Sequence, residues 1–349
     1  VQALPHYLPI MAFRSLAVFS ASFSSSVVLA QEHSAYFKVD DYGYIKSSRW
    51  KDRLFPSDDP LLSADLLATR VKVSIPGYAT VLGGVQEGSE YFLGMPYAQP
   101  PLGPLRFQPA QAIGSLDGLL NATQFCPSVV GASFMRQARH TTLPDDAKVR
   151  SHEDALCINI WRPRGLNASA TALPIMVFIY GGGFVSGSSS NAWYDGKNIA
   201  QFQDRIVVTF NYRVGPLGFF SSEELVSNVS GTGAANGLLD QNLALKWVQM
   251  YGAAFGGDIG NVGLFGESAG ALSVCSHVVS PLSAGLFKRA ILESGPCNGP
   301  WGAGAREHGL AISRLLMSRL NCSTMECMRT LPASSLASWP YSFESNQSL

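Results

Sequence analysis

A serine between two glycines, in Gly266-Glu-Ser-Ala-Gly270, is the feature of this sequence with the clearest chemical potential. The apolar run 262–265 precedes it, and a helix-compatible run, 271–279, follows it. A sharp strand-to-helix turn holds its central residue in a strained conformation above a sheet, and only small flanking residues let strand and helix approach so closely. Ser268 is therefore a candidate nucleophile, and the Ala269 N–H is a candidate oxyanion donor.

A glycine triplet upstream provides a second candidate element of the same chemistry. The apolar stretch Leu173–Ile179 predicts a strand, and Gly181-Gly182-Gly183 follows it after one tyrosine. A loop of this kind beyond a strand can direct backbone N–H groups at a carbonyl oxygen. A flexible loop without a chemical role is the alternative, but the two motifs together favour acyl transfer to serine.

The elements that must position these motifs alternate between strand and helix patterns. Residues 206–211 and 290–293 predict strands, whereas 304–320 predicts a helix. Leu239, Leu243, Trp247 and Met250 recur at helical spacing, so residues 238–252 predict an amphipathic helix. This alternation predicts an α/β fold with a mostly parallel, doubly wound sheet, and the site is expected at the carboxyl ends of the strands.

The chain resembles the type-B carboxylesterases, a family that comprises carboxylesterases, cholinesterases and the non-catalytic neuroligins. The matching blocks occur in order between about Val71 and Leu331. They are 92–98 with Pro100-Pro101 and 105–107, Glu153-Asp154 leading into 159–161, 180–187, 211–213, 237–241, 255–258, 266–270 and 290–295. The resemblance implies an α/β-hydrolase fold, of which this chain is expected to be the N-terminal portion.

The resemblance also implies roles for individual residues. Ser268 corresponds to the family's nucleophile, and Gly182, Gly183 and Ala269 correspond to its oxyanion donors. Glu267 matches a family glutamate that could tune the site electrostatically. Two ion pairs are expected to be structural, Arg106 with Glu153 and Arg213 with Asp240.

Six cysteines favour an oxidising compartment and permit fifteen complete pairings. The resemblance implies a Cys322–Cys327 bridge and, with an irregularity, a Cys126–Cys157 bridge. The irregularity is that Ala155 stands where the family has its cysteine, directly after Glu-Asp, and Cys157 follows two residues later on the same face of a strand. Cys275 is expected to be a buried free thiol.

The partners that a serine nucleophile needs are not evident in the sequence. In this fold an acidic residue and then a histidine follow the nucleophile, and only His277 and His308 follow Ser268. His277 lies about 13 Å of helical rise away, and His308 is typical of a surface residue. We expect the family's acid and base beyond Leu349, so that residues 1–349 alone would turn over esters only slowly.

Several features bear on the substrate and on the alternative function. Cholinesterases bind a quaternary ammonium group on a tryptophan between the first cysteine and the Glu-Asp motif, but residues 127–152 contain neither tryptophan nor tyrosine. A small, neutral or apolar ester is the expected substrate, with no cofactor and no metal site. The alternative is a neuroligin-like binding domain, which needs neither Ser268 nor the glycine triplet.

Composition is that of a single large domain with an extensive interior. Of the 349 residues, 46% are apolar and 14% charged, and 25 basic residues balance 25 acidic ones. This balance, without a basic run, argues against binding to nucleic acid or to an anionic membrane surface. We predict a carboxylesterase-type domain over 70–349, preceded by an extension, 31–69, that matches nothing in the family.

The beginning of the sequence and its sequons indicate secretion. Residues 11–30 fit a signal peptide: Arg14 precedes an apolar and serine-rich run, and cleavage is expected after Ala30. The alternative is a buried N-terminal helix. The Asn-x-Ser/Thr sequons that support export are at Asn121, Asn167, Asn228, Asn321 and Asn346.

Overall fold

The structure, a computed structural model, describes residues 53–55, 70–116, 118–131, 151–166, 171–228, 235–298 and 306–337. Its strands are β1 Leu54–Phe55, β2 Arg70–Ile75, β3 Ala79–Gln86, β4 Ser89–Pro96, β5 Leu119–Asn121, β6 Ser128–Val129, β7 Ser151–His152, β8 Cys157–Pro163, β9 Leu173–Ile179, β10 Ile206–Phe210, β11 Gly257–Glu267 and β12 Arg289–Glu293. Its helices are α1 Lys197–Gln203, α2 Gly215–Phe219, α3 Glu223–Asn228, α4 Asn236–Tyr251, α5 Ala269–Val279, α6 Arg306–Arg319, α7 Met325–Thr330 and α8 Ala333–Ala337.

Ten of the described strands form the main sheet, in the order β1-β5-β3-β4-β8-β10-β9-β11-β12, and β2 pairs with β3 outside this path. The four strands from β10 to β12 are parallel, so their carboxyl ends lie at one edge. Antiparallel pairs dominate the amino-terminal part. The sequence predicts a mostly parallel sheet, and this prediction is confirmed for the four strands that include β9 and β11, at whose carboxyl ends the two glycine motifs lie.

Connection length explains this division of the sheet. Short turns join β2 to β3 and β3 to β4, with Gly77 and Gly88 at positive φ (75° and 68°), and such turns produce antiparallel pairs. Parallel neighbours need longer crossovers. Helices α1, α4 and α5 lie in the connections that follow β9, β10 and β11.

Helices cover both faces of the sheet. On one face Ala200 of α1 packs with Trp161 and Val207, which share a register position on β8 and β10. On the other face Ala244 of α4 and Val274 of α5 belong to the main core, together with buried residues of β9, β10 and β11. Successive side chains of a strand point to opposite faces of the sheet, so apolar strands provide an apolar surface on both faces.

Helix α4 exists as predicted, but its buried face is wider than the predicted one and shifted from it. Trp247 is buried in the main core and Leu243 packs against it, whereas Met250 is 69% exposed. Asp240, Gln241 and Ala244 are fully buried. The buried face contains polar side chains that bond to partners on other elements. A pattern of apolar residues alone does not reveal such a face.

Residues 53–55, which the sequence places in an extension, are part of the main sheet. Strand β1 pairs with β5, and the buried Arg53 guanidinium donates to the carbonyl oxygens of Leu93 (3.0 Å), Gly94 (2.5 Å) and Asn121 (2.6 Å). Burial lowers the pKa of Arg53 to about 10, so the side chain remains charged at neutral pH. Residues 11–30 lie outside the described residues.

Two of the three buried ion pairs in the described part of the chain are those of Arg213 and Arg106, and both connect distant segments. Arg213 Nε and Nη2 donate to the two carboxylate oxygens of Asp240 at 2.8 and 2.7 Å, and its Nη1 donates to Gln108 O. Arg106 Nε donates to Glu153 at 2.8 Å, and its Nη1 donates to backbone carbonyls next to α7. These are the pairs that the family resemblance implies.

We expect Asp240→Asn to lower the free energy of unfolding by about 3–5 kcal/mol, because it leaves the buried Arg213 without its counter-charge. Urea unfolding followed by tryptophan fluorescence measures this. Glu223→Gln is the matched control, because the Glu223–Arg314 pair is 58% and 64% exposed and its loss should change the free energy by less than about 1 kcal/mol. Equal effects of the two substitutions would contradict a structural role for the buried pair.

Candidate active site

Ser268 occupies the turn between β11 and α5 in a strained conformation, with φ 55° and ψ −121°. A positive φ is rare for a residue with a side chain and indicates that the surroundings fix it. Its N–H donates to Glu293 O at 2.9 Å, and its carbonyl accepts from Leu272 N at 3.1 Å. Among the described residues, Ser268 Oγ forms no side-chain hydrogen bond. The structure thus has the strand–serine–helix turn that the pentapeptide predicts.

The two flanking glycines are required by close backbone contacts. A Cβ on Gly270 would lie only 2.0 Å from Ile179 O, at the end of β9, and a Cβ on Gly266 would lie 2.6 Å from Gly270 O. No side chain fits at either distance. The turn can therefore form against β9 only because both residues lack a Cβ.

The glycine triplet lies beside Ser268. A Cβ on Gly181 would be 2.9 Å from Ser268 Cβ, which places the start of the loop directly against the serine. Gly182 and Gly183 have φ values of 106° and 64°. Both are exposed. In the described part of the chain, neither of their N–H groups donates to a backbone carbonyl, so both are available to an incoming oxygen atom.

A buried polar network anchors the far end of this loop. Ser189 N and Oγ both donate to Asn211 Oδ1 at 2.9 Å, and Asn159 Nδ2 donates to Ser189 Oγ and Thr209 Oγ1 at 3.0 Å. Asn159 Oδ1 accepts from Gly94 N. The sequence identified Asn159 and Asn211 only as matches to the family, and it did not identify Ser189. The position of Ser189 shortly after the glycine triplet was the only indication of its role.

Glu267 is exposed and lies close to the base of the loop. A Cβ on Gly181 would be 2.9 Å from its Oε2 atom. Burial, and secondarily the negative charge of Glu267, raises the pKa of Tyr194. The negative charge of Glu267 therefore acts both at the base of the glycine loop and at Tyr194, which follows the loop.

The described histidines do not supply a base to Ser268. His277 is buried, with Nε2 2.9 Å from Gln241 Oε1 and Nδ1 2.8 Å from Ser283 Oγ, so both ring nitrogens are engaged. His308 is an exposed residue of α6, and His152 Nδ1 accepts from Asp154 N. No group of three or more potential metal ligands occurs among the described residues.

The hydrogen bonds around His277 define its protonation state. Gln241 Oε1 can only accept, so His277 Nε2 carries the proton and Nδ1 accepts from the Ser283 hydroxyl. Gln241 Nε2 donates in turn to Ser273 Oγ, which donates to Ala269 O, next to Ser268 in the chain. Burial lowers the pKa of His277 from 6.5 to about 4. The imidazole is thus a neutral structural group at physiological pH.

All six cysteines form disulfides. Cys322–Cys327 and Cys126–Cys157 have Cα–Cα distances of 5.5 and 6.6 Å, and Ala155 stands beside the shifted bridge. The expectation of a free thiol at Cys275 is wrong, because Cys275 is bonded to Cys297 at a Cα–Cα distance of 5.5 Å. The even number of cysteines was the only sequence signal for this third bridge.

The sequons have different environments. Asn121 is 7% exposed, and its Oδ1 accepts from Thr123 N and Oγ1. This burial disfavours a glycan at Asn121. Asn321 is exposed at the end of α6. Nothing is described for the side chain of Asn228, and Asn167 and Asn346 lie outside the described residues.

The sequence matches the Carboxylesterase family over residues 69–347. It is 42% identical to a cholinesterase from Mus musculus over 260 residues, which are 72% of this chain and 41% of that protein. Two solved structures of PNB esterase are 35% and 34% identical, with TM-scores of 0.67 and 0.65. Each comparison covers 76% of this chain and 52% of the esterase chain.

The chain therefore belongs to the carboxylesterase family and has the α/β-hydrolase fold, as its glycine motifs and parallel strands indicate. It spans 41% of the length of the cholinesterase and about half that of the solved esterases. No helix in the described part of the chain has the length and hydropathy needed to cross a membrane.

The buried His277 predicts a loss of stability in mild acid. The pKa of His277 is about 4 in the folded chain and about 6.5 in the unfolded chain. Between pH 4 and pH 6.5 the imidazole is therefore protonated mainly in the unfolded chain. The free energy of unfolding should consequently fall by about 2 kcal/mol as the pH decreases from 7 to 5. Urea unfolding at both pH values measures this.

His277→Gln should remove this part of the pH dependence, since Gln does not titrate. His308→Gln is the control, because His308 is exposed on α6, and it should behave like the parent protein. A His277→Gln variant with the full pH dependence of the parent would contradict the assignment.

Proposed function

We propose that this chain belongs to a serine carboxylic ester hydrolase that acts through an acyl-enzyme on neutral or apolar esters. The observation that carries the proposal is the strained Ser268 beside an exposed glycine loop with unengaged N–H groups. A binding domain requires neither feature. The similarity to a cholinesterase and to PNB esterase supports ester hydrolysis as the reaction class.

In the proposed mechanism, Ser268 Oγ attacks the ester carbonyl carbon as a base takes the hydroxyl proton. The N–H groups of Gly182, Gly183 and Ala269 stabilise the negative charge on the carbonyl oxygen. The intermediate collapses to an acyl-serine and releases the alcohol, which receives the proton, and water then hydrolyses the acyl group. Glu267 is proposed to tune this charge from the base of the loop.

The base is proposed to come from a part of the protein outside residues 1–349. Both nitrogens of His277 are engaged, and Ser268 Oγ is not bonded to any described residue. Without a positioned base the serine remains an alcohol of ordinary nucleophilicity, and the oxyanion donors supply only the residual part of catalysis. Residues 1–349 alone are therefore proposed to be nearly inactive.

The proposed substrate is an ester without a quaternary ammonium group. Binding such a cation requires an aromatic face, and residues 127–152 contain neither tryptophan nor tyrosine. Hydrolysis of p-nitrophenyl butyrate should therefore be faster than hydrolysis of butyrylthiocholine. The opposite preference would refute the substrate class and leave the serine mechanism in place.

In the complete protein, an organophosphonate probe should label Ser268 and no other residue, because Ser268 combines a strained turn with the proposed oxyanion donors. Ser268→Ala should abolish both labelling and ester hydrolysis without altering the unfolding midpoint. Peptide mapping by mass spectrometry locates the label. Labelling at another residue would refute the assignment of Ser268 as the nucleophile. A complete absence of labelling would favour the neuroligin-like binding domain.

Gly182→Ala should reduce kcat/KM by about 100-fold, or roughly 3 kcal/mol, if it displaces one oxyanion donor. A Cβ there would lie 2.4 Å from Ser186 O, so the loop must move. Gly77→Ala is the matched control, because Gly77 also has a positive φ but has open space around it. Gly77→Ala should leave kcat/KM unchanged, and equal losses in both variants would contradict a role for the loop.

We also propose that the protein is secreted, as its three disulfides, the exposed Asn321 sequon and the signal-like segment suggest. The similarity to a cholinesterase agrees with this. Secreted protein should begin at Gln31, contain the Cys322–Cys327 bridge and carry no glycan on Asn121. N-terminal sequencing and non-reducing peptide mapping measure these features. Protein that retains Met11 with all six thiols free would refute the proposal.

A further inference from the structure

The segment that follows β12 packs against the nucleophile turn. Ser268 N–H donates to Glu293 O at 2.9 Å, and the next residue, Ser294, has φ 54°. A Cβ on Gly295 would lie 2.7 Å from Ser268 O and 2.6 Å from Ala271 Cβ. The position of residues 293–295 therefore helps to determine the backbone of Ser268.

The Cys275–Cys297 disulfide ties the other end of this segment to α5. Ala271 and Cys275 are four residues apart and lie on the same face of the helix, about 6 Å apart along its axis. Gly295 and Cys297 are two residues apart, a span of about 6.6 Å in an extended chain. Gly295 contacts Ala271, and Cys297 is bonded to Cys275. Residues 295–297 thus lie along one turn of α5. The contact with Ala271 fixes one end of this segment, and the disulfide to Cys275 fixes the other.

This bridge is also the most accessible of the three, because it contains the one exposed cysteine among the six, Cys297. Cys275 and Cys327 are partly exposed, and Cys126, Cys157 and Cys322 are buried. A thiolate can attack a disulfide only where it reaches a sulfur atom. A dithiol reductant should therefore reduce Cys275–Cys297 before the other two bridges.

We propose that the Cys275–Cys297 disulfide positions the nucleophile turn, so that its reduction lowers the reactivity of Ser268 while the sheet stays folded. The reductant's thiolate attacks one sulfur, its second thiol completes the exchange, and the products are two cysteine thiols and the oxidised, cyclic reductant. The freed segment then no longer holds Gly295 against Ser268. Cys275 and Cys297 are positioning residues, and their catalytic effect rests on the proposed function.

The test compares the complete protein before and after mild reduction with dithiothreitol, with alkylation and peptide mapping to identify the bridge that opened. Hydrogen exchange should become at least tenfold faster in a peptide covering 266–272, because Ser268 N–H and Leu272 N–H depend on this packing. Peptides from β9 and β10 should not change. The kcat for p-nitrophenyl butyrate should fall about 10- to 100-fold with KM within about twofold, and reoxidation should restore it.

A Cys275→Ala, Cys297→Ala double variant should reproduce both effects without reductant. The matched control is Cys322→Ala with Cys327→Ala, which removes a bridge in the separate cluster around α6 and α7 and should leave exchange in 266–272 unchanged. Unaltered exchange in 266–272 after confirmed opening of Cys275–Cys297 would overturn the proposal. If the oxidised protein has no esterase activity, the proposed function fails, but the exchange measurement still tests the positioning role.

Discussion

The structure depends on the contact between the end of strand β9 and the first turn of α5. Ile179 O lies so close to Gly270 that an added Cβ would be 2.0 Å away. This approach forces Ser268 into its positive φ and brings the glycine loop, which continues directly from β9, beside the serine. The order of the parallel strands thus determines that Ser268 and the glycine loop lie side by side.

Buried polar groups hold the elements around this contact. Hydrogen bonds among Asn159, Ser189 and Asn211 fix the far end of the glycine loop. Those among Gln241, Ser273 and His277 connect α4 to α5. Such groups are costly to bury unless every partner is in place, so a satisfied network specifies one arrangement of the strands and helices. The site is therefore positioned by directional bonds as well as by apolar packing.

Features that depend on local sequence were predictable, and those that depend on distant contacts were not. The Gly266–Gly270 turn needs only neighbouring residues, so its strand, strained serine and helix followed from the sequence. The Cys275–Cys297 bridge, the burial of Asn121 and the insertion of Arg53 among backbone carbonyls result from pairings between distant segments. The buried face of α4 was only partly predictable: Trp247 is buried as its spacing indicates, but the burial of Asp240 and Gln241 depends on partners on other elements.

The central claim is that Ser268 and the N–H groups of Gly182, Gly183 and Ala269 form one acyl-transfer site. A crystal structure of the complete protein with a phosphonate bound to Ser268 tests it most directly. The account predicts that the phosphoryl oxygen lies 2.7–3.1 Å from these three nitrogen atoms, the range that oxyanion donors require. A phosphoryl oxygen directed away from the glycine loop, with those N–H groups unengaged, would contradict it.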